Sequence, residues 1–109
     1  MKHFLFGLLG MLATLAMAQD IVKANQKLGR GVNFGNALEA PYEGSWGMRL
    51  EAGFFDLVKQ GGFQTIRLPI SWTHHAAKTA PYTVEASFFQ RVDWAIGEAN
   101  KRGFNLIIN

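Results

Sequence analysis

The chain has no cysteine. That excludes disulfides, cysteine-based zinc sites and a lipoprotein-type acylation point, and it leaves an oxidising compartment open. Basic residues form no run: Lys23, Lys27, Arg30, Arg49, Lys59, Arg67, Lys78, Arg91, Lys101 and Arg102 are spread along the chain without interleaved aromatics. With a formal charge of only +3, no nucleic-acid partner is expected. There is no HExxH, no nucleophile elbow and no phosphate-loop Lys-Ser/Thr pair, and Gly31, Gly35 and Gly44 are not spaced as a dinucleotide turn. His74-His75 is an adjacent pair in a loop with no acid nearby, which is a poor metal site. No metal or organic cofactor is expected.

One apolar run is present, but it is short. Met1-Lys2-His3 is a positively charged start, Phe4 to Met17 carries no charge, and Ala16-Met17-Ala18 supplies the small residues of a cleavage site. Residues 1–18 therefore read as an export signal, with Gln19 the first mature residue. The competing reading, a membrane anchor, needs roughly 20 apolar residues. Removal of the signal takes away one lysine and no acid, so the mature charge is about +2. The expectation is an exported domain over 19–109 with no membrane association after cleavage.

Hydrophobic spacing orders the remainder. Ile21 to Leu28 is a helical or irregular lead-in, and Gly31 to Asn36 is the first strand candidate. A polar, Gly/Pro-rich loop over Glu39 to Gly47 has Trp46 as its large apolar anchor. Leu50, Phe54, Leu57 and Val58 recur at helical spacing and stop at Gly61-Gly62. Phe63 to Ile70 is a second strand, with Pro69 near its end, and Ser71 to Val84 is a long polar loop. Phe88, Val92, Ala95, Ile96 and Ala99 form the stripe of a second helix, whose carboxylates are expected on its solvent side. Ser87 with Gln90 suggests a capping box, and Gly103 a stop. Leu106 to Asn109 is a third strand, apolar as for a strand covered on both faces.

Strand, helix, strand, helix, strand argues for parallel pairing with helices outside. The fold class is α/β, the N-terminal part of a (β/α)₈ barrel, about two and a half βα units. A complete barrel takes about 250 residues, so the expectation is an incomplete domain with an open apolar edge.

Alternation in the second strand puts Thr65, Arg67 and Pro69 on one side and Ile66, Leu68 and Ile70 on the helix side. Arg67 is either a solvated arginine on an exposed strand or a cation answered by a carboxylate, and no strand-end carboxylate is present to answer it. Asn36 and Glu39 lie just past the first strand, where they serve either as turn residues or as hydrogen-bonding groups for sugar hydroxyls. Glu39 has no partner for the carboxyl pair, roughly 5–5.5 Å apart, that retaining glycosidases use. Trp46 and Trp72 are packing anchors or flat faces for sugar rings. Trp94 falls on the polar side of its helix. His75 suits a hydrogen-bonding role near a cleft better than metal ligation.

The blocks Leu28 to Pro41, Glu43-Gly44, Trp46-Gly47, Phe54-Phe55, Gly62-Phe63, Ile66 to Ile70, Trp72, His75-Ala76, Pro81-Tyr82, Phe88-Phe89, Arg91-Val92-Asp93 and Ile107-Ile108-Asn109, in this order, resemble the N-terminal part of bacterial family 5 glycoside hydrolases of the cellulase type. The resemblance implies a (β/α)₈ barrel cleaving β-1,4-glucan with retention, and in some relatives β-mannan. It implies that Arg67 stands beside the nucleophile and that Asn36 and Glu39 contact sugar in outer subsites. In the family a His-His pair, an Asn-Glu carrying the acid/base and the nucleophilic Glu follow beyond the position of Asn109. The 109 residues are therefore expected to be inactive alone, and the complete enzyme to be a monomer. Ser71 departs from the Arg that many relatives carry before the Trp. A non-catalytic carbohydrate-binding module is the alternative of another class, disfavoured by the two helical stripes.

Overall fold

The computed structural model describes residues 20–109; the export signal expected over 1–18 lies outside them. A leading helix, α1, is described over residues 20–28. It is followed by β1 (Gly31–Asn33), α2 (Ala52–Gln60), β2 (Thr65–Leu68), a 3₁₀ turn (Trp72–His75), α3 (Ala86–Lys101) and β3 (Asn105–Ile108). The strands form one sheet in the order β1-β2-β3. Both pairings are parallel, with Asn33 opposite Arg67 and Arg67 opposite Ile107. This is the start of a (β/α)₈ barrel, and three strands do not close one.

The sheet's helix side is the core. Ile66 and Leu68 are fully buried against α2 and α3, as alternation along β2 requires. Phe55 of α2 is central, meeting Phe34 edge-on at 5.0 Å and Trp94 of α3 at 6.0 Å. Trp94 is therefore a packing residue at the edge of the apolar stripe, with the Arg91 guanidinium 3.8 Å from its ring centre.

Local chemistry sets the boundaries. β1 stops at Asn33, short of the expected Asn36, because the chain turns at Asn36 with φ +64°; the Phe34 N–H still donates to Arg67 O. The lead-in is a helix whose final carbonyls face the N-terminal end of the sheet. Thr65 Oγ1 donates to Leu28 O, and Asn105 Nδ2 donates to Lys27 O at 2.8 Å. These bonds satisfy carbonyls a helix end leaves without partners.

The expected capping box does not form. α3 begins at Ala86 with Glu85 as its N-cap and no side-chain cap, so Ser87 already lies in the first turn. The reason is upstream: Ala76 bridges Val84, and the Glu85 N–H donates to His75 O, which fixes the helix start. Nor do all carboxylates of α3 face solvent. Asp93 is exposed, but Glu98 is only 6% exposed and accepts from Lys101 Nζ at 2.6 Å and from Arg102 at 2.8 Å. Cations three and four residues on compensate its burial. Its pKa is held below the usual carboxylate range, first by the Lys101 bond and then by Arg102.

β3 is uncovered on its outer edge, leaving Ile107 and Ile108 43% and 41% exposed. None of the described helices is long and apolar enough to cross a membrane.

Candidate functional site

Polar side chains gather where β1 and β2 end, on the face away from the helices. Parallel β/α barrels build their sites at this end of the strands. Arg67 is exposed there, and its Nη1 donates to Asn33 Oδ1 at 2.6 Å. The parallel register explains the pair, since Asn33 and Arg67 lie opposite one another and alternation points both to the same face. Among the described residues no carboxylate forms an ion pair with Arg67.

Gly35 provides the space beside them. A Cβ there would sit 2.6 Å from Asn33 Nδ2 and 3.1 Å from Glu39 Oε1, so Asn33 and Glu39 border the same gap. The Asn36 N–H donates to Glu39 Oε1 at 2.7 Å. Glu39 thus ties the turn it follows, an Asx-rich, positive-φ turn that would otherwise leave this amide unpaired. The Asn36 side chain is exposed at the rim.

His75 makes its contacts elsewhere. Its ring stacks on Phe88 with centres 3.6 Å apart and planes 9° from parallel, and Nδ1 lies 4.0 Å from Glu85 Oε2. His74 Nδ1 is 2.6 Å from Ser71 Oγ. Trp72 packs edge-on against Phe88 at 5.6 Å. Trp46, by contrast, is 54% exposed and does not anchor its loop.

That anchor is Glu43. Its carboxylate takes both Nε and Nη2 of Arg91 at 2.8 Å and the Leu50 N–H at 2.8 Å, while Arg91 Nη2 also donates to Leu50 O at 2.6 Å. Burial raises the Glu43 pKa, but the Arg91 and Leu50 hydrogen bonds and the charges of Arg91 and Arg49 outweigh it, leaving the group below its ordinary range. The two ends of the 43–50 loop are therefore closed together and fixed to α3, with Trp46 presented between them.

An open apolar recess of about 220 Å³ lies beside β1, lined by Val32, Phe34, Met48, Leu50 and Phe54 among others. It also touches Asn33 and Gly35, and it follows the edge of β1 that no described strand pairs. No group of three or more potential metal ligands occurs among the described residues.

Residues 27–109 match the cellulase family, glycosyl hydrolase family 5. The chain belongs to this family. Endoglucanase H of Acetivibrio thermocellus is 41% identical over 92 residues, 84% of this chain and 10% of that protein. Endoglucanase A of Paenibacillus barcinonensis is 36% identical over 108 residues, 89% of this chain and 27% of that protein. Cel5A of Thermotoga maritima, solved in complex with cellobiose, superposes with a TM-score of 0.77 at 49% identity, over 80% of this chain and 28% of that one. The same enzyme has been solved with mannotriose. The chain thus spans between a tenth and about a quarter of the length of these curated relatives.

Asn33 and Glu43 were not among the residues singled out from the sequence as site or anchor. Asn33 carried no sufficient signal, because alternation groups it with Gly31 and only the strand register sets it opposite Arg67. Glu43 carried none, because its partner is 48 residues away.

Proposed function

We propose that these residues form the first part of the catalytic domain of an exported β-1,4-glucanase acting with retention of configuration. The observation that carries the reading is Arg67, held by a neutral partner at the C-terminal end of parallel strands in a family 5 chain. In that position the guanidinium favours the ionised form of a nearby carboxylate and keeps it nucleophilic. One Glu protonates the glycosidic oxygen while the ionised Glu attacks the anomeric carbon, and water then releases the sugar. Both glutamates would come from later strands, so the 109-residue polypeptide alone is proposed to be inactive.

Exposed Asn36 and the part of Glu39 not used by the turn would bind sugar hydroxyls in outer subsites. His75, stacked on Phe88 and with its buried Nε2 lacking a hydrogen-bond partner among the described residues, would serve as a hydrogen-bonding residue near the cleft. Export rests on the charged start, apolar run and small-residue site of residues 1–18. The complete enzyme is proposed to be a monomer. A β-mannan substrate is the second reading, favoured by the mannotriose complex of the Thermotoga enzyme.

The test is hydrolysis by the protein expressed from its complete coding sequence, assayed on carboxymethylcellulose and on β-mannan. Proton NMR would read which anomer is released first. The β-anomer from the glucan is expected; the α-anomer first, or no glucan cleavage, overturns the proposal.

A further inference from the structure

We infer that Asn33 is the positioning residue for Arg67, and that its being an uncharged amide is what leaves the arginine's charge available to the reacting carboxylate. This rests on the reading of the protein as a β-glucan hydrolase. An arginine on a strand face has several rotamers, and a guanidinium that wanders gives up part of its effect on a neighbouring ionisation. Asn33 Oδ1 takes one Nη1 hydrogen at 2.6 Å. This bond fixes the fork's direction, and no other Arg67 side-chain bond occurs among the described residues, which leaves its remaining donors uncommitted to them.

The surroundings fix Asn33 in turn. Its backbone is in the ladder opposite Arg67, and its Nδ2 lies beside Gly35, where a Cβ would approach to 2.6 Å. The absent side chain at position 35 is therefore the space the amide occupies. Its neighbours on the sheet carry no charge: Ile107 is its register partner on β3, and Thr65 and Pro69 share its side of β2. The carboxylate that borders the Gly35 gap, Glu39, is engaged by the Asn36 N–H.

An aspartate at position 33 would hold the guanidinium equally well and would pair with its charge. The amide holds it without that cancellation. Charge and geometry are therefore separable here by two substitutions.

The experiment compares wild type, Asn33→Asp and Asn33→Ala in the protein expressed from its complete coding sequence, with kcat and KM on a soluble cellooligosaccharide from pH 3.5 to 8. Asn33→Ala is expected to lower kcat about tenfold with KM changed less than about twofold, because geometry is lost. Asn33→Asp keeps the acceptor, and is expected to move the acid limb of kcat/KM up by about half a unit to one unit. A structural role alone would lower thermal stability and leave that limb in place. An unmoved limb in Asn33→Asp, or Asn33→Ala with wild-type kcat, overturns the inference while an active wild type leaves the glucanase reading standing. A wild type that cleaves no β-glucan sinks the reading itself.

Discussion

A Cβ on Gly35 would meet Asn33 Nδ2 at 2.6 Å and Glu39 Oε1 at 3.1 Å, so one added methyl acts on both polar neighbours at once. Gly35→Ala is expected to cost about 1–3 kcal/mol through overpacking and to lower kcat more than it raises KM, because the amide that holds Arg67 must shift. Urea unfolding with steady-state kinetics in the complete protein checks both, and wild-type values for both would contradict it. At this scale the facing of Arg67 was legible, since period-two alternation needs no knowledge of neighbours. Its partner was not. Which residue of β1 lies opposite Arg67 depends on strand register, and register comes from tertiary packing. The bond from Asn36 to Glu39 was half legible, because turn chemistry at Asn36 was one of the readings the sequence offered.

Among the elements, the 43–50 loop is held by charge and not by its tryptophan. Glu43 is depressed from its ordinary 4.5 in the folded protein, so its contribution is fully present above that unfolded value and is lost as pH falls through the lower folded one. Glu43→Gln is expected to cost about 1–3 kcal/mol at pH 7. The gap from wild type should narrow as pH is lowered from 5 to 3, where the wild-type carboxyl is itself protonated. Thermal melts of both proteins across that range measure it, and a gap independent of pH would contradict the role assigned to Glu43. The stripe of α3 was legible, since Phe88, Val92, Ala95 and Ala99 all became core, but that of α2 was read off-centre: Phe55 is its buried residue, Leu57 is 65% exposed and Leu50 precedes the helix. Glu98 was misplaced by the same pattern, as polarity marks a residue for solvent unless its partners are seen; Lys101 and Arg102 were in view at suitable spacing. Helix starts were legible only to within a residue or two, the bridge between Ala76 and Val84 being a tertiary contact.

At the scale of the whole molecule, both edges of the sheet are unpaired among the described residues. β3 exposes Ile107 and Ile108, and β1 is flanked by the apolar recess of Val32, Phe34 and Leu50. The 109-residue polypeptide expressed by itself is expected to self-associate, and Ile107→Lys to reduce that association by charging the edge. Sedimentation velocity would show it; a monodisperse monomer for the unaltered polypeptide contradicts the expectation. Parallel topology was legible from element order alone. Barrel membership needed the family motifs, because a doubly wound sheet has the same order.

By the proposed function, residues 20–109 supply the arginine corner of a family 5 glucanase site. The most direct measurement replaces the matched segment of Thermotoga maritima Cel5A, 28% of that chain, with these residues, and assays the folded hybrid on carboxymethylcellulose with and without Arg67→Ala. The hybrid is expected to hydrolyse the glucan and to lose about a hundredfold or more of kcat with Arg67→Ala, the scale of removing one preorganised charge-stabilising group. A folded hybrid without activity, or one indifferent to Arg67→Ala, would contradict the proposed function.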